Sequence, residues 1–192
     1  MILQSPVPDA DIPEAAALYW QAFAAKLHIA LGPADKGQAF VTRVFDPTHG
    51  ISIHADDGTL LGVAGFKTAK SALVGGEFAD LKAIYGLWGA TWRAALLHML
   101  ERDTENSRFL MDGVFVAERA RGQGVGTALL RAICAEGARR GYAEVRLDVI
   151  DSNPRAQALY AREGFVATKT TALGPLRHIF GFNASTTMVK TL

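Results

Sequence analysis

A glycine-rich stretch, Arg121-Gly122-Gln123-Gly124-Val125-Gly126-Thr127, has the residue types and spacing best suited to ligand chemistry. It lies between a predicted strand at 109–116 and a predicted helix at about 124–140. The first N–H groups of a helix have no partner inside it and carry the positive end of the dipole, so this turn suits a phosphate or pyrophosphate. Glycines let the backbone approach such a ligand, and Arg121 adds a positive charge. Tight packing is the alternative explanation for the glycines.

Two nucleotide-binding turns have glycines at similar spacing. A P-loop requires Lys and then Ser or Thr after its last glycine, and Val125-Gly126-Thr127 provides no such Lys. A dinucleotide-binding turn beginning at Gly122 requires glycine or alanine where Thr127 stands, although Asp148 is at a strand end that suits a ribose contact. Too little chain follows Asp148 to complete a doubly wound sheet. A dinucleotide-binding protein is therefore a distant second hypothesis.

Two blocks of sequence resemble the GNAT superfamily of N-acetyltransferases. Residues 116–130 are similar to its acyl-CoA pyrophosphate motif, in which Arg or Gln is followed by Gly and then by Gly or Ala. Those positions are held by Arg121, Gly124 and Gly126. Residues 153–165 are similar to the second conserved block of the family. The resemblance implies an N-acetyltransferase that uses acetyl-CoA as co-substrate and transfers the acetyl group to a primary amine by direct attack.

The resemblance also implies roles for individual residues. The pyrophosphate is bound by Arg121, Gly122, Gln123, Gly124, Val125, Gly126 and Thr127. Backbone groups of Phe115 and Val116 contact the pantetheine arm and polarise the thioester carbonyl, and Asn153 hydrogen-bonds the same arm. Tyr160 lies near the CoA sulfur and donates the proton to the departing thiolate. Without the resemblance, Tyr160 is interpreted as a core aromatic and Asn153 as a helix N-cap.

The candidate general base is Asp112. An amine nucleophile must be neutral, which requires a group that accepts its proton directly or through water. Asp112 is four residues before Val116, and period-two alternation predicts that the two share one face of the strand. A strand-end carboxylate in a hydrogen bond or salt bridge is the alternative. His54 and His178 are weaker candidates, since lone histidines usually serve structure or solvent contact.

The elements that position these groups follow from hydrophobic periodicity and turn residues. Predicted helices are 11–26, with Asp11 as N-cap, then 38–45, 78–101, 124–140 and 153–163. Predicted strands are 51–55 and 60–67 as a hairpin, then 109–116, 143–150, 166–171 and 186–191. The fold class implied by the resemblance is α+β, with a central, mostly antiparallel sheet of about six to seven strands flanked by helices. Two central strands are expected to splay at the glycine-rich turn.

Composition limits the classes of partner. The 192 residues, 49% hydrophobic, predict a single domain over 1–192, and 20 Lys and Arg against 19 Asp and Glu create no net field for nucleic acid or an anionic membrane. The single Cys134 predicts a reducing compartment and a packing role. The N-terminus lacks the features of a signal peptide, and the most apolar stretch, 84–100, is too short to span a bilayer. A cytoplasmic protein is expected.

The sequence leaves the acceptor open between a small-molecule amine and a peptide amine. Four aromatic residues either line an acceptor pocket, form a homodimer interface or pack in the core: Tyr19, Trp20, Trp88 and Trp92. The proposed direct attack requires no metal ion. A CoA-binding module without turnover is the alternative from another functional class, and Tyr160 argues against it because a pure binder has no need of a proton donor.

Overall fold

A computed structural model describes residues 1–100, 107–174, 177 and 181–192. The strands form one sheet in the order β1-β2-β3-β4-β5-β7-β6. They are β1 (Ile2–Gln4), β2 (Gly50–His54), β3 (Leu60–Lys67), β4 (Phe109–Val116), β5 (Glu144–Ile150), β6 (Val166–Ala172) and β7 (Ala184–Thr191). The helices are α1 (Ile12–Leu31), α2 (Ala34–Arg43), α3 (Phe78–Leu100), α4 (Val125–Arg139) and α5 (Pro154–Arg162). The predicted class, a mostly antiparallel sheet flanked by helices, is confirmed.

The first three strands form an antiparallel edge of the sheet. The predicted β2–β3 hairpin is confirmed, and Gly58 has a φ of 87° in its turn, a conformation that glycine adopts without steric cost. β1 was not predicted from the sequence. It pairs antiparallel with β2, but three exposed residues are too few to show an alternating pattern.

The helices before β4 depart from their predicted bounds. α1 continues past residue 26 because no helix breaker follows until Gly32, whose N–H donates to the carbonyl of His28 over 2.7 Å. α2 begins directly after Pro33, so the predicted bounds of 38–45 are wrong. α3 was predicted as a single helix, but Gly86, with φ 71° and ψ 175°, breaks it into two segments. Within the described ranges, no helix combines the length and apolar character of a membrane-crossing segment.

Core packing occupies both faces of the sheet. On one face α4 buries Leu129, Ile133 and Cys134, which confirms the packing role predicted for the cysteine. On the other face α1 lies against β3 and β4. The four aromatic residues do not form one cluster. Trp20 is buried against Gly37 of α2, whereas Trp88 is 86% exposed, so core packing does not explain Trp88.

β4 and β5 are parallel neighbours that separate after two residue pairs. Phe109 lies opposite Val145 and Leu110 opposite Arg146, and the register of the pair ends there. The later halves of both strands therefore diverge, which confirms the predicted splay. β4 and β5 are also the one parallel pair among the strands of the described residues. That arrangement contradicts the doubly wound sheet required by the dinucleotide hypothesis.

Candidate active site

The glycine turn (residues 121–127) enters α4 from a short 3₁₀ helix, Glu118–Ala120. Gly122 has a φ of 79° and Gly124 a φ of 82°, values that L side chains rarely adopt. A Cβ on either glycine would meet no described atom within 4 Å, so both are required for backbone conformation rather than for space. No side chain in the described part of the chain caps α4 at Gly124. The first N–H groups of α4 are consequently available to an anion.

The other turn residues divide between surface and core. Arg121 and Gln123 are exposed, and the Gln123 Nε2 donates to the backbone oxygen of Arg119 over 2.8 Å. The Val125 side chain is buried in the core and Thr127 is half-buried. Val125 and Thr127 can therefore contribute to an anion site chiefly through their backbone N–H groups.

Asn153 and Tyr160 lie at the two ends of α5. The Asn153 Oδ1 accepts from the Ala156 N–H over 3.2 Å, which confirms the N-cap and leaves the side-chain NH₂ as a donor. Tyr160 is 7% exposed, with its ring tilted against Phe165 at a centroid distance of 6.2 Å. Burial raises the pKa of Tyr160 to about 12. The phenol is therefore protonated at neutral pH and can act as an acid.

The first half of α4 is brought together with the C-terminal half of α5 by side-chain contacts. A Cβ built on Gly126 would lie 3.3 Å from Leu159 Cδ2, so the small residue allows α5 to approach α4 closely. Arg131 of α4 also donates two hydrogen bonds to the Glu163 carboxylate, at 2.8 and 3.2 Å. Sequence reasoning did not identify Leu159, Arg131 or Glu163 as partners, because no local pattern shows which residues of two separate helices meet.

Asp112 occupies a β-bulge in β4. In the antiparallel pairing of β3 with β4, Gly65 lies opposite Gly113 and the next residue, Phe66, lies opposite Met111. Asp112 is therefore an extra residue of β4 that has no partner position in β3. A bulge interrupts the alternation of side chains between the two faces of a strand. Period-two counting from Val116 back to Asp112 therefore fails.

Asp112 and Val116 lie on opposite faces of the sheet. Val116 Cγ2 would be 3.9 Å from a Cβ on Gly126, which places Val116 toward α4. Gly113, next to the bulged Asp112, faces α1, since a Cβ there would lie 2.5 Å from Phe23 Cζ, and after burial the charge of Asp112 raises the pKa of Tyr19 on the same helix. The prediction that the two residues share a face is wrong. The role of Asp112 as general base stays a prediction, now for a carboxylate on the α1 side.

The remaining acid and base candidates lie elsewhere. His54 is buried on β2, and its Nε2 is 2.8 Å from the Asp11 Oδ2. Asp11 is the N-cap residue of α1, as predicted, but its side chain caps no N–H group within the described residues, because the carboxylate is engaged by His54 instead. Asp148 accepts from the Thr187 hydroxyl within the sheet. His178 lies outside the described residues.

Arg119 is a polar residue beside the glycine turn that sequence reasoning missed. Its Nη2 donates to the Glu14 Oε1 over 2.9 Å and to the Leu60 carbonyl over 2.7 Å. Glu14 and Leu60 are distant from Arg119 in the chain, so the sequence carries no signal of the contact. Arg119 links the entry to the turn with α1 and β3.

Comparison with known proteins agrees with this geometry. A model described as the acetyltransferase (GNAT) family matches residues 12–165. Comparison with curated proteins finds no match. Solved structures with the same fold include an acetyltransferase (TM-score 0.64, 20% identity, 100% of this chain and 99% of that chain). They also include an N-acetyltransferase from Staphylococcus aureus Mu50 (TM-score 0.69, 12% identity, 99% and 100%). A third is a ribosomal-protein-alanine N-acetyltransferase from Brucella melitensis (TM-score 0.61, 17% identity, 100% and 100%).

These identities establish likeness of fold, whereas the family match extends over most of the chain and includes both the glycine turn and α5. The chain therefore belongs to the acetyltransferase (GNAT) family and is an acyltransferase.

Proposed function

We propose that this protein transfers the acetyl group of acetyl-CoA to a primary amine by direct attack in a ternary complex. The observation that carries the proposal is the packing of Leu159 against Gly126. That contact supports the proposal because it brings the helix that contains the buried phenol of Tyr160 beside the start of α4, where unpaired N–H groups suit an anion. An anion site and a protonated acid are the two groups that an acyl-CoA thioester requires.

The glycine turn fits the pyrophosphate of the cofactor. Gly122 and Gly124 hold the turn in a conformation with open space at both Cβ positions, as far as the described atoms extend. The N–H groups of residues 122–127 and the charge of Arg121 bind the phosphates. This assignment accounts for the glycines more fully than packing does, because among the described atoms only Gly126 of the three turn glycines has a neighbouring side chain close to its Cβ position.

The pantetheine arm lies between the diverging halves of β4 and β5. Phe115 and Val116 are beyond the last β4–β5 pair at Leu110, so their backbone groups on that side can bond the arm and polarise the thioester carbonyl. The side-chain NH₂ of Asn153 donates to the same arm, because its Oδ1 already caps α5. Acetyl-CoA, when bound, supplies the thioester carbonyl carbon that the amine attacks.

Proton transfers are divided between two residues. Asp112 accepts the proton that the amine loses as the C–N bond forms, directly or through water. Tyr160, which is protonated at neutral pH, donates its phenolic proton to sulfur as the C–S bond breaks; exchange with water then returns a proton to Tyr160 and removes one from Asp112. The acceptor, a small-molecule or peptide amine, reaches Asp112 from the α1 side of the sheet.

We also propose that residues 1–192 form one domain. The single sheet that contains all the strands from β1 to β7 supports this proposal.

A thiol-release assay tests this function. Purified protein is incubated with acetyl-CoA and a panel of small amines, amino acids, polyamines and peptides, and products are identified by mass spectrometry. We expect free CoA to appear in equal amount to one acetylated amine. Tyr160→Phe should lower kcat by about 100-fold, the usual size of a lost general acid, with the Kd for acetyl-CoA unchanged. Tyr142→Phe, in the turn after the C-terminal end of α4, is the control. Unchanged kcat in Tyr160→Phe would show that the proton comes from another group.

A further inference from the structure

Arg119 is joined to three segments of the fold. It lies in the 3₁₀ helix that leads into the glycine turn, and its Nη2 donates to both the Leu60 carbonyl at the start of β3 and the Glu14 carboxylate in the first turn of α1. Its own carbonyl accepts from the Gln123 side chain inside the turn. Besides the backbone hydrogen bond from the Ala117 N–H to the Leu61 carbonyl, Arg119 therefore ties the entry to the turn to both β3 and α1.

The glycines make such an anchor necessary. Gly122 and Gly124 have no side chains, and both have positive φ with open space around the Cβ position among the described atoms. Their conformational freedom lets an unanchored turn populate many shapes, and ordering it on binding costs free energy. Val125 anchors the helix end of the turn in the core, so the strand end must be held by residues that precede it. Ala120, beside Arg119, is 1% exposed and supplies packing, while Arg119 supplies the directional hydrogen bonds.

The contacts of Arg119 suit positioning more than global stability. The side chains of Arg119 and Glu14 are 53% and 47% exposed, and ion pairs of that exposure contribute little to the free energy of unfolding. A cleft of about 540 Å³ lined by Glu14, Gln21 and Glu118 keeps solvent next to the pair. The bond to the Leu60 carbonyl, however, fixes where the guanidinium lies. Both bonds come from the one Nη2 atom, and the rigid guanidinium holds its two N–H groups in fixed directions, whereas a lysine ammonium rotates freely on its stem.

We propose that Arg119 is a positioning residue that fixes the glycine turn in the conformation that receives the anion. It acts through the turn and does not touch the ligand. The identity of that ligand as acetyl-CoA rests on the proposed function, whereas the ordering of the turn does not. Binding should therefore weaken when Arg119 is removed because the turn must be ordered at the moment of binding.

Amide hydrogen exchange on the ligand-free protein tests the ordering directly. In Arg119→Ala we expect the amides of Arg121 and Ala128, which donate to the carbonyls of Glu118 and Gly124, to exchange about tenfold faster, the change that loss of one charged hydrogen bond accounts for. Arg119→Lys should show a smaller acceleration, and it retains the charge if the alanine variant folds poorly. Arg139→Ala removes a comparably exposed arginine paired with Glu136 and should leave the turn unchanged. Unchanged exchange in both Arg119 variants would overturn the proposal.

Titration of the same variants with acetyl-CoA tests the consequence for binding. We expect Arg119→Ala to raise the Kd about tenfold, with Arg119→Lys intermediate and Arg139→Ala equal to the wild type. Faster exchange with an unchanged Kd would overturn the role of Arg119 toward the ligand. A wild-type protein that binds no acetyl-CoA would refute the proposed function instead, and the exchange experiment would still decide whether Arg119 orders the turn.

Discussion

Leu159 of α5 packs against Gly126 in the first turn of α4, where a Cβ would lie 3.3 Å from Leu159 Cδ2. The contact sets the distance between the glycine turn and the helix that contains Tyr160. The two blocks of sequence that resemble the family are thus joined in space by a small residue and a leucine, neither of which is a reacting group.

Enlarging Gly126 should displace α5. Gly126→Ala needs only a small shift of the flexible end of Leu159 and should be tolerated, whereas Gly126→Val should lower kcat by about tenfold because α5 moves and Tyr160 with it. The measurement is thiol release with an acceptor from the amine panel. Leu159→Ala in the valine background restores space and should recover most of the activity; no recovery would show that the helix contact is not the cause.

Gly124 and Gly58 form a matched pair of glycines with positive φ. Both have φ above 80° and neither Cβ would meet a described atom within 4 Å, so alanine at either position costs about 1 kcal/mol of conformational free energy. Only Gly124→Ala should also reduce the stabilisation of the protein by acetyl-CoA, measured as the ligand-induced rise in Tm. An equal reduction in Gly58→Ala would mean that the effect is a general loss of stability.

Because the phenol of Tyr160 is buried, the free energy of unfolding should fall as the pH rises into the alkaline range. Burial raises its pKa to about 12, so the folded protein holds this proton more tightly than the unfolded chain does. The contribution is fully present below about pH 10 and is lost as pH rises toward 12, at up to about 1.4 kcal/mol per unit. Denaturation of wild type and Tyr160→Phe between about pH 9 and pH 12 measures it. The free energy of unfolding should fall more steeply with pH in the wild type than in Tyr160→Phe. The same pH dependence in both proteins would contradict a raised pKa for a buried Tyr160.

The charge of Asp112 should be detectable at Tyr19. Because that charge is the second cause, after burial, of the raised pKa of Tyr19, Asp112→Asn should lower this pKa. Absorbance titration of the phenols shows the shift, and the same titration in a Tyr19→Phe background assigns it. As the proposed base, Asp112 should also be required for turnover, with kcat falling by about 100-fold in Asp112→Asn. A shifted pKa with unchanged kcat would leave the geometry intact and refute the role as base.

Local patterns were sufficient to predict much of the fold. The β2–β3 hairpin, the β4–α4–β5 unit and α5 have periodic apolar residues bounded by turn residues, and each is present. The glycine turn was found for the same reason, since its glycines, its strand and its helix are contiguous in the chain.

Features that depend on distant partners could not be predicted in this way. The bulge at Asp112 exists only in the register between β3 and β4, and it moved the carboxylate to the other face. The engagement of Asp11 by His54 likewise replaced a side-chain cap that the local sequence favoured. The hydrogen bonds of Arg119 to Glu14 and Leu60 arise from the packing of three separate elements. None of these has a counterpart in residue spacing.

The most direct test of the acyl-CoA site is isothermal titration of the purified protein with acetyl-CoA and, separately, with NADH. We expect saturable binding of acetyl-CoA with a stoichiometry of about one per chain, weakened when Arg121 or Gly124 is changed, and much weaker binding of NADH. Absence of acetyl-CoA binding, or a preference for NADH, would contradict the assignment of the glycine turn as an acyl-CoA site.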